Sequence, residues 1–446
     1  MVRLKKFTEN FKMFDSQVFS LSRTKLRIIS TITFAALIFI IYTDSIASEI
    51  SHQSRTFSDK QIVDELAAHE RTELGRLRSS IGLLQIRSMQ EETGDQREVE
   101  VLDDEKDLPV PPLNVTEEER IAWLRENLSK FDIFKSNNIT RLFHGRVLEF
   151  FNHDCEAHFF MTWISPARSF GHREFLTMDS LFKSHPRGCL MILSKSMDSA
   201  RGYMILKPLL DRGFKVVAVT PDLPFLLKNT PAKAWFKGIR RAEKDPGEIP
   251  LAQNLSNLLR LAVLYKYGGV YMDTDFIVLK PLTGLKNSIG AQSMDMESKK
   301  WNRLNNAFLA FDMNHPLLFK FMQEFAYTFD GNKWGHNGPY LVSRVVGRVR
   351  RRPGYNFTVL PSKAFYPVDW LRISGLFQAP KNQASSKWVK AKLLQLNGET
   401  YGVHLWNRQT NRLAIEEGSV MESLISNHCV ICQQIYTSKT KVSKRC

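Results

Sequence analysis

From residue 155 onward, apolar positions come in short dense runs separated by amphipathic stretches. Residues 158–164, 189–193 and 214–220 are almost unbroken apolar runs, which predict strands covered on both faces. Between them, Phe175, Leu176, Leu181 and Phe182 fall at helical spacing within 173–184, and residues 203–210 form a second apolar helical stretch. Strand–helix–strand–helix–strand predicts a parallel sheet with helices on its faces. Ligands of such sheets gather at the carboxyl ends of the strands. No internal repeat or low-complexity run interrupts the pattern.

The preceding residues read differently. Residues 48–150 are charged, short of aromatics and broken by Pro109, Pro111 and Pro112, as in a stem, with a short amphipathic piece around Trp123 that would dock on the next domain. Residues 28–42 carry no charge, and 26–47 together supply the roughly 20 residues that cross a bilayer. Arg3, Lys5, Lys6, Lys12, Arg23, Lys25 and Arg27 lie before the uncharged run at 28–42, so the positive-inside rule predicts a cytosolic tail at 1–25 and a lumenal body. A cleaved signal peptide is the competing reading, but Ser45-Ile46-Ala47-Ser48 is a poor cleavage site. The expectation is a single-pass type II membrane protein, with a compact lumenal domain at 151–436 and a basic tail at 437–446.

Composition narrows the partners. A 43% hydrophobic and 11% aromatic content excludes wholesale disorder. The net charge of +16 suits anionic partners: nucleic acid, anionic membrane or phosphorylated small molecules. No zinc-finger spacing, aromatic RNA-binding motif or long basic helix is present, so nucleic acid is not expected. The run Arg348, Arg350, Arg351 and Arg352 reads as a solvated face. Sequons occur at Asn114, Asn127, Asn138, Asn254 and Asn356, of which Asn114, Asn127, Asn138 and Asn356 are the candidate glycosylation sites. The five cysteines, Cys155, Cys189, Cys429, Cys432 and Cys446, are compatible with disulfides in an oxidising lumen, with at least one left unpaired within the chain. Cys429 and Cys432 lack the second pair that a zinc site would need.

Residues 251–282 carry the chemistry. A long helix opening at Leu251 is apolar over most of its circumference and therefore buried, yet Gln253, Ser256, Asn257 and Arg260 share one face. A buried guanidinium keeps its charge and must meet an anion. Arg260 either braces the fold through an aspartate or faces a ligand cleft. Gly268-Gly269 closes the helix, Val270-Tyr271-Met272 begins a strand, and Asp273 and Asp275 follow. Two carboxylates at that spacing repel one another unless a cation lies between them, and hard oxygen ligands suit Mn²⁺ or Mg²⁺ carrying a diphosphate.

The pattern Ser256-Asn257-x-x-Arg260 followed by Gly268-Gly269-x-Tyr271-x-Asp273-x-Asp275 resembles the sugar-binding Asp-x-Asp region of the retaining family 32 glycosyltransferases. Residues 306–325, 333–345, 360–370 and 403–408 look like the α-1,4-galactosyltransferase (globotriaosylceramide synthase) domain in its plant form. The resemblance spans about 155–418. It implies a GT-A type αβα sandwich with a mixed, mainly parallel sheet, a donor part at about 155–300 and an acceptor part at about 301–436. It also implies a nucleotide-sugar donor, UDP-galactose favoured, a glycan or glycolipid acceptor, and retention by front-face displacement. Asp273 would contact the sugar side, Asp275 would coordinate the cation and diphosphate, and Asn257, Arg260 and Tyr271 would grip the donor. Many members place an aspartate where this chain has Asn257, whose amide accepts from a sugar hydroxyl but contributes no charge. His404 is a further candidate metal ligand, or a hydrogen-bonded histidine at a strand end. Trp334, His336, Asn337 and Gly338 form a candidate donor or acceptor loop, or a helix-capping one. Trp163 either lines the base pocket or belongs to the core.

Two other classes compete. An apolar-Asp-x-Asp also opens haloacid-dehalogenase-like phosphatases, but here the motif lies behind three strands and an Arg-bearing helix. A carbohydrate-binding scaffold with a decayed site is the non-enzymatic alternative, and it would hydrolyse no nucleotide-sugar.

Overall fold

The computed structural model describes residues 108–432, apart from 153 and 296 and the side chains of Asn138 and Ile139. The expected tail, anchor and most of the stem lie outside the described residues, as does the basic tail. Among the described residues, no helix is long and apolar enough to cross a membrane.

Two helices come first, α1 (Glu117–Asn127) and α2 (Phe143–Phe151). Then β1 (His158–Thr162), α3 (His172–Ser184), β2 (Cys189–Leu193), α4 (Ala200–Leu210) and β3 (Lys215–Val219) follow the alternation read from the sequence within a residue or two, save that α4 begins three residues early. After α5 (Lys233–Arg240) come the long helix α6 (Leu251–Tyr267), β4 (Gly269–Met272) and β5 (Phe276–Val278). The chain continues through β6 (Ser288–Met294), β7 (Trp301–Phe311), α7 (Pro316–Thr328), α8 (Pro339–Val349) and β8 (Thr358–Leu360). It closes with α9 (Gln383–Glu399), β9 (Gly402–His404) and α10 (Val420–Asn427).

The main sheet has seven strands in the order β3-β2-β1-β4-β7-β6-β8. The first four are parallel, β4–β7 and β7–β6 are antiparallel, and β6–β8 is parallel again. The sheet is thus mixed and mainly parallel, as expected. Side chains alternate across it. Phe160, Met191, Leu193 and Tyr271 face a core built with α5, α6, α7 and α8. Phe159, Met161, Leu190, Ile192 and Met272 face another built with α3 and α4. The result is a three-layer αβα sandwich. A third cluster packs β5, β9, α9 and α10 together.

The compact body begins well before residue 150. Leu124, Phe131, Ile133, Phe134, Phe143 and Val147 are buried in the same core as α6. Arg120 forks onto Asp245 at 2.8 and 2.6 Å, and Arg146 forks onto Asp198 at 2.7 and 2.8 Å. From Glu117 on, the segment read as stem is part of the domain. Phe131, Ile133 and Phe134 sit in and between short 3₁₀ turns whose spacing fits neither helical nor strand period, so the pattern hid them. Cys155 is joined to Cys189, and Cys429 to Cys432. The latter loop turns three backbone N–H groups, those of Val430, Ile431 and Cys432, onto the buried Asp179 carboxylate at 2.8, 2.8 and 3.1 Å.

Candidate metal and donor site

The site is assembled where α6 hands over to β4. Gly268 adopts φ 65° and Gly269 φ 107°, and a Cβ on Gly269 would stand 2.6 Å from the His158 carbonyl oxygen. Only glycine permits this tight return from helix to strand. β4 then runs beside β1 and β7, and Asp273 emerges at its carboxyl end with its N–H on the Ala307 carbonyl at 2.9 Å.

The Asp-x-Asp turn is pinned from two sides. The Thr177 hydroxyl of α3 donates to the Thr274 carbonyl at 2.7 Å and accepts from the Phe276 N–H at 3.0 Å. Antiparallel pairing of β5 with β9 sets Phe276 opposite His404, and the Leu405 N–H meets the Asp275 carbonyl at 2.8 Å. A histidine 129 positions downstream is thereby delivered to Asp275: His404 Nε2 lies 3.3 Å from Asp275 Oδ1. One ligand atom from each of Asp273, Asp275 and His404 falls within 4.8 Å of the others.

Arg260 is 3% exposed and reaches Asp273 Oδ1 through Nη2 at 3.0 Å. Its Nη1 donates to the Asn306 carbonyl at 2.8 Å, Nε to the Ser256 carbonyl at 3.1 Å, and its plane lies over the Tyr271 ring at 4.5 Å. Burial alone would lower this guanidinium, but the charge of Asp273 and the hydrogen bond to it outweigh burial and hold it above its ordinary value. The Tyr271 hydroxyl donates to the same Asp273 oxygen at 2.9 Å and meets Thr162 Oγ1 at 2.8 Å, which in turn meets Ser256 Oγ at 2.6 Å. Burial pushes the Tyr271 phenol up, so it remains a donor. Arg260 is therefore both a brace and part of the site.

Asp275 is treated differently. It receives the Asn407 N–H at 2.8 Å on Oδ2 and no guanidinium. Burial pushes its carboxyl up; His404 opposes this, while Asp273 and Glu174 reinforce it. Burial, Asp273 and Glu174 thus all act against a charged Asp275, which favours an added cation. Two hard oxygen donors and one imidazole form a donor set for a divalent ion. Two orphaned groups support the fit: Asn407 Oδ1 and the Tyr366 hydroxyl are buried without a hydrogen-bond partner. His404 Nδ1 accepts from the Trp406 N–H at 3.3 Å, so a cation on Nε2 requires the ring proton to move to Nδ1 and that contact to loosen.

The other expected residues divide. Asn257 is buried and accepts from Asn306 Nδ2 at 2.8 Å, and a Cβ on Gly338 would crowd Asn257 Oδ1 at 2.8 Å. Gly338 therefore lets the 330s loop close on the Asn257–Asn306 pair. Asn337 is buried and ties that loop to α6, donating to Asn254 Oδ1 at 2.9 Å and to the Asp330 carbonyl at 2.8 Å. His336 Nε2 bonds the Thr328 carbonyl at 2.7 Å, at the end of α7. Trp334 is 53% exposed and stacks under Arg408 at 4.2 Å, next to the Asn407 turn. Gln253 is exposed on α6, while Asn254 is buried in it. Trp163 is half-buried beyond the carboxyl end of β1, its indole N–H on the Pro166 carbonyl at 3.1 Å. Asn114 and Asn356 are exposed and Asn127 half-exposed; the Asn138 side chain is outside the described residues. Sequence reasoning missed Glu174, Tyr366 and Asn407. They come from three distant segments; Tyr366 and Asn407 lie within the family-like stretches 360–370 and 403–408, but nothing in those stretches singles them out.

Comparison with known proteins agrees with this geometry. Residues 171–295 match the glycosyltransferase sugar-binding region containing the DXD motif, and residues 310–436 match the alpha 1,4-glycosyltransferase conserved region. The chain is 32% identical over 265 residues to the lactosylceramide 4-alpha-galactosyltransferase of Mus musculus, covering 57% of this chain and 68% of that one. It is 29% identical over 292 residues to an uncharacterised protein of Arabidopsis thaliana, of which it spans only 43%. It is 27% identical over 220 residues to the human alpha-1,4-N-acetylglucosaminyltransferase, covering 47% of this chain and 58% of that one. The chain belongs to the alpha-1,4-glycosyltransferase family, whose sugar-binding region contains the Asp-x-Asp motif.

Proposed function

We propose that the protein is a metal-dependent retaining hexosyltransferase that moves a sugar from a nucleotide-sugar to a glycan or glycolipid acceptor. The observation that carries this reading is the convergence of Asp273, Asp275 and His404 in a corner where acids outnumber bases. Mn²⁺ or Mg²⁺ held there supplies positive charge to the departing nucleoside diphosphate. The chain's own residues do the rest. Arg260 and Tyr271 hold Asp273 in one orientation, toward the sugar side of the donor. The Asn407 N–H and the β5–β9 pairing hold Asp275. The Asn257–Asn306 pair, closed over by Gly338, offers amide groups for sugar hydroxyls. Trp334 and Arg408 form an exposed rim suited to stacking an acceptor sugar.

UDP-galactose is the favoured donor and an α-1,4 bond the favoured product, because the name of the mouse relative specifies 4-alpha-galactosyl transfer. UDP-N-acetylglucosamine is the second reading, carried by the name of the human relative. The uncharged run at residues 28–42, within the span 26–47, and the basic residues before it support a type II anchor in the Golgi membrane, with this domain lumenal. Incubating the full-length chain with Mn²⁺ and a panel of nucleotide-sugars tests the assignment. Release of UDP is expected from one donor, at least 100-fold faster than from an Asp273→Ala/Asp275→Ala chain (about 3 kcal/mol of barrier). Equal turnover by both chains would refute it.

A further inference from the structure

One buried group beside the metal corner remains unused. Tyr366 is 3% exposed, its ring fixed 5.6 Å from that of His404 and 5.9 Å from that of Trp406. Its edge fills the space left by Gly290, where a Cβ would stand 2.8 Å from Tyr366 Cε2. The hydroxyl makes no hydrogen bond. The Phe308 amide approaches it without meeting hydrogen-bond geometry, and an amide could only donate, which leaves the hydroxyl proton without an acceptor. An ordinary phenol is protonated at neutral pH, so the hydroxyl keeps a proton to donate.

The protein offers that proton nothing. Asp273 Oδ1 is taken by Arg260 and Tyr271, and Asp275 is taken by Asn407 and His404. A buried donor left unpaired costs stability, on the order of 1–3 kcal/mol, so one held beside a ligand corner calls for a partner. We propose that the Tyr366 hydroxyl donates a hydrogen bond to a phosphate oxygen of the nucleotide-sugar, making it a catalytic residue that stabilises the leaving diphosphate. This rests on the glycosyltransferase reading. In the transfer, the bond from the sugar's anomeric carbon to the phosphate oxygen breaks, and its electron pair stays on that oxygen. The acceptor hydroxyl oxygen forms the new bond to the same carbon, and its proton leaves with the diphosphate. Tyr366 keeps its own proton, and its hydrogen bond strengthens as charge builds on the phosphate.

Tyr366→Phe removes only the oxygen and preserves the ring packing. In the full-length chain with Mn²⁺, UDP affinity measured by calorimetry should fall about 10-fold, and kcat for the productive donor about 10–100-fold. Mn²⁺ affinity without nucleotide should stay within twofold. The thermal midpoint of the metal-free protein should stay level or rise, because an unsatisfied hydroxyl is lost. UDP affinity and kcat within twofold of the parent would overturn the proposal. So would a lowered midpoint, which would mean that the hydroxyl serves the fold. If Tyr366→Phe matches a parent that Asp275→Ala inactivates, only this inference falls. If the parent turns over no nucleotide-sugar, the transferase reading falls, and UDP binding still tests the hydroxyl.

Discussion

Two regions of the domain bury acid–base pairs, and they do so to opposite ends. In the brace that fastens residues 117–151 to the body, every buried carboxylate is saturated. Asp245 takes both arms of Arg120 and the Gly247 N–H at 2.8 Å, while Asp198 takes Arg146 and both the N–H and hydroxyl of Thr220 at 2.8 and 2.7 Å. In the corner after β4, Asp273 has a guanidinium, but Asp275 has only the Asn407 N–H and the His404 imidazole, and Glu174 adds a further negative charge. Burying charge is tolerable where geometry neutralises it and costly where it does not. A saturated pair is therefore architecture, and an unsaturated one is a site awaiting a ligand.

Asp275→Ala should break this contrast most visibly. Transfer is expected to fall by roughly 10³-fold, while the metal-free midpoint holds or rises, since the removed charge was repelled there. Activity and differential scanning fluorimetry on one preparation check both halves; a large loss of midpoint would make Asp275 a brace like the others. Asp245→Ala should do the reverse. Leaving the buried Arg120 with only the Val115 carbonyl and the more distant Glu248 carboxylate costs about 2–4 kcal/mol, or roughly 4–8 °C of midpoint, with kcat per folded molecule unchanged.

The brace also has an acid signature. Burial alone would raise Asp198 and Asp245, but their arginine and backbone hydrogen bonds hold both below the ordinary carboxylate range. Because the folded value is depressed, the stability they contribute is fully present above the unfolded value near 3.9 and is lost as pH falls through the folded value. Denaturant midpoints should drop steeply below about pH 4 in the parent and less steeply in Asp245→Asn. Equal slopes would deny the brace its role. The smallest effect is expected at the rim, where Trp334→Ala should raise the acceptor KM about 2–5-fold and leave UDP binding intact.

Much of the sandwich was legible because the strands β1 to β3 are buried on both faces and so read as unbroken apolar runs. Asp273, Asp275 and Arg260 were legible because a charge inside an apolar stretch demands an explanation. His404 could be suspected, although only the β5–β9 register brings it to Asp275. The brace was hidden: Phe131, Ile133 and Phe134 lie in consecutive 3₁₀ turns, where neither the 3.6 nor the 2 period applies. The roles of Tyr366 and Asn407 were hidden as well, since a missing hydrogen bond exists only in three dimensions, and Glu174 reaches the corner only through the packing of α3. The 330s loop was read as one unit, yet it divides into the exposed Trp334 and the buried clamp of Asn337.

Calorimetric titration of Mn²⁺ into the metal-free chain, with and without UDP, tests the central claim most directly. One site is expected in the parent, tightened by UDP, with affinity falling at least about 100-fold in Asp275→Ala and less in His404→Ala. Undiminished Mn²⁺ affinity in Asp275→Ala would show that the acid corner does not hold the cation.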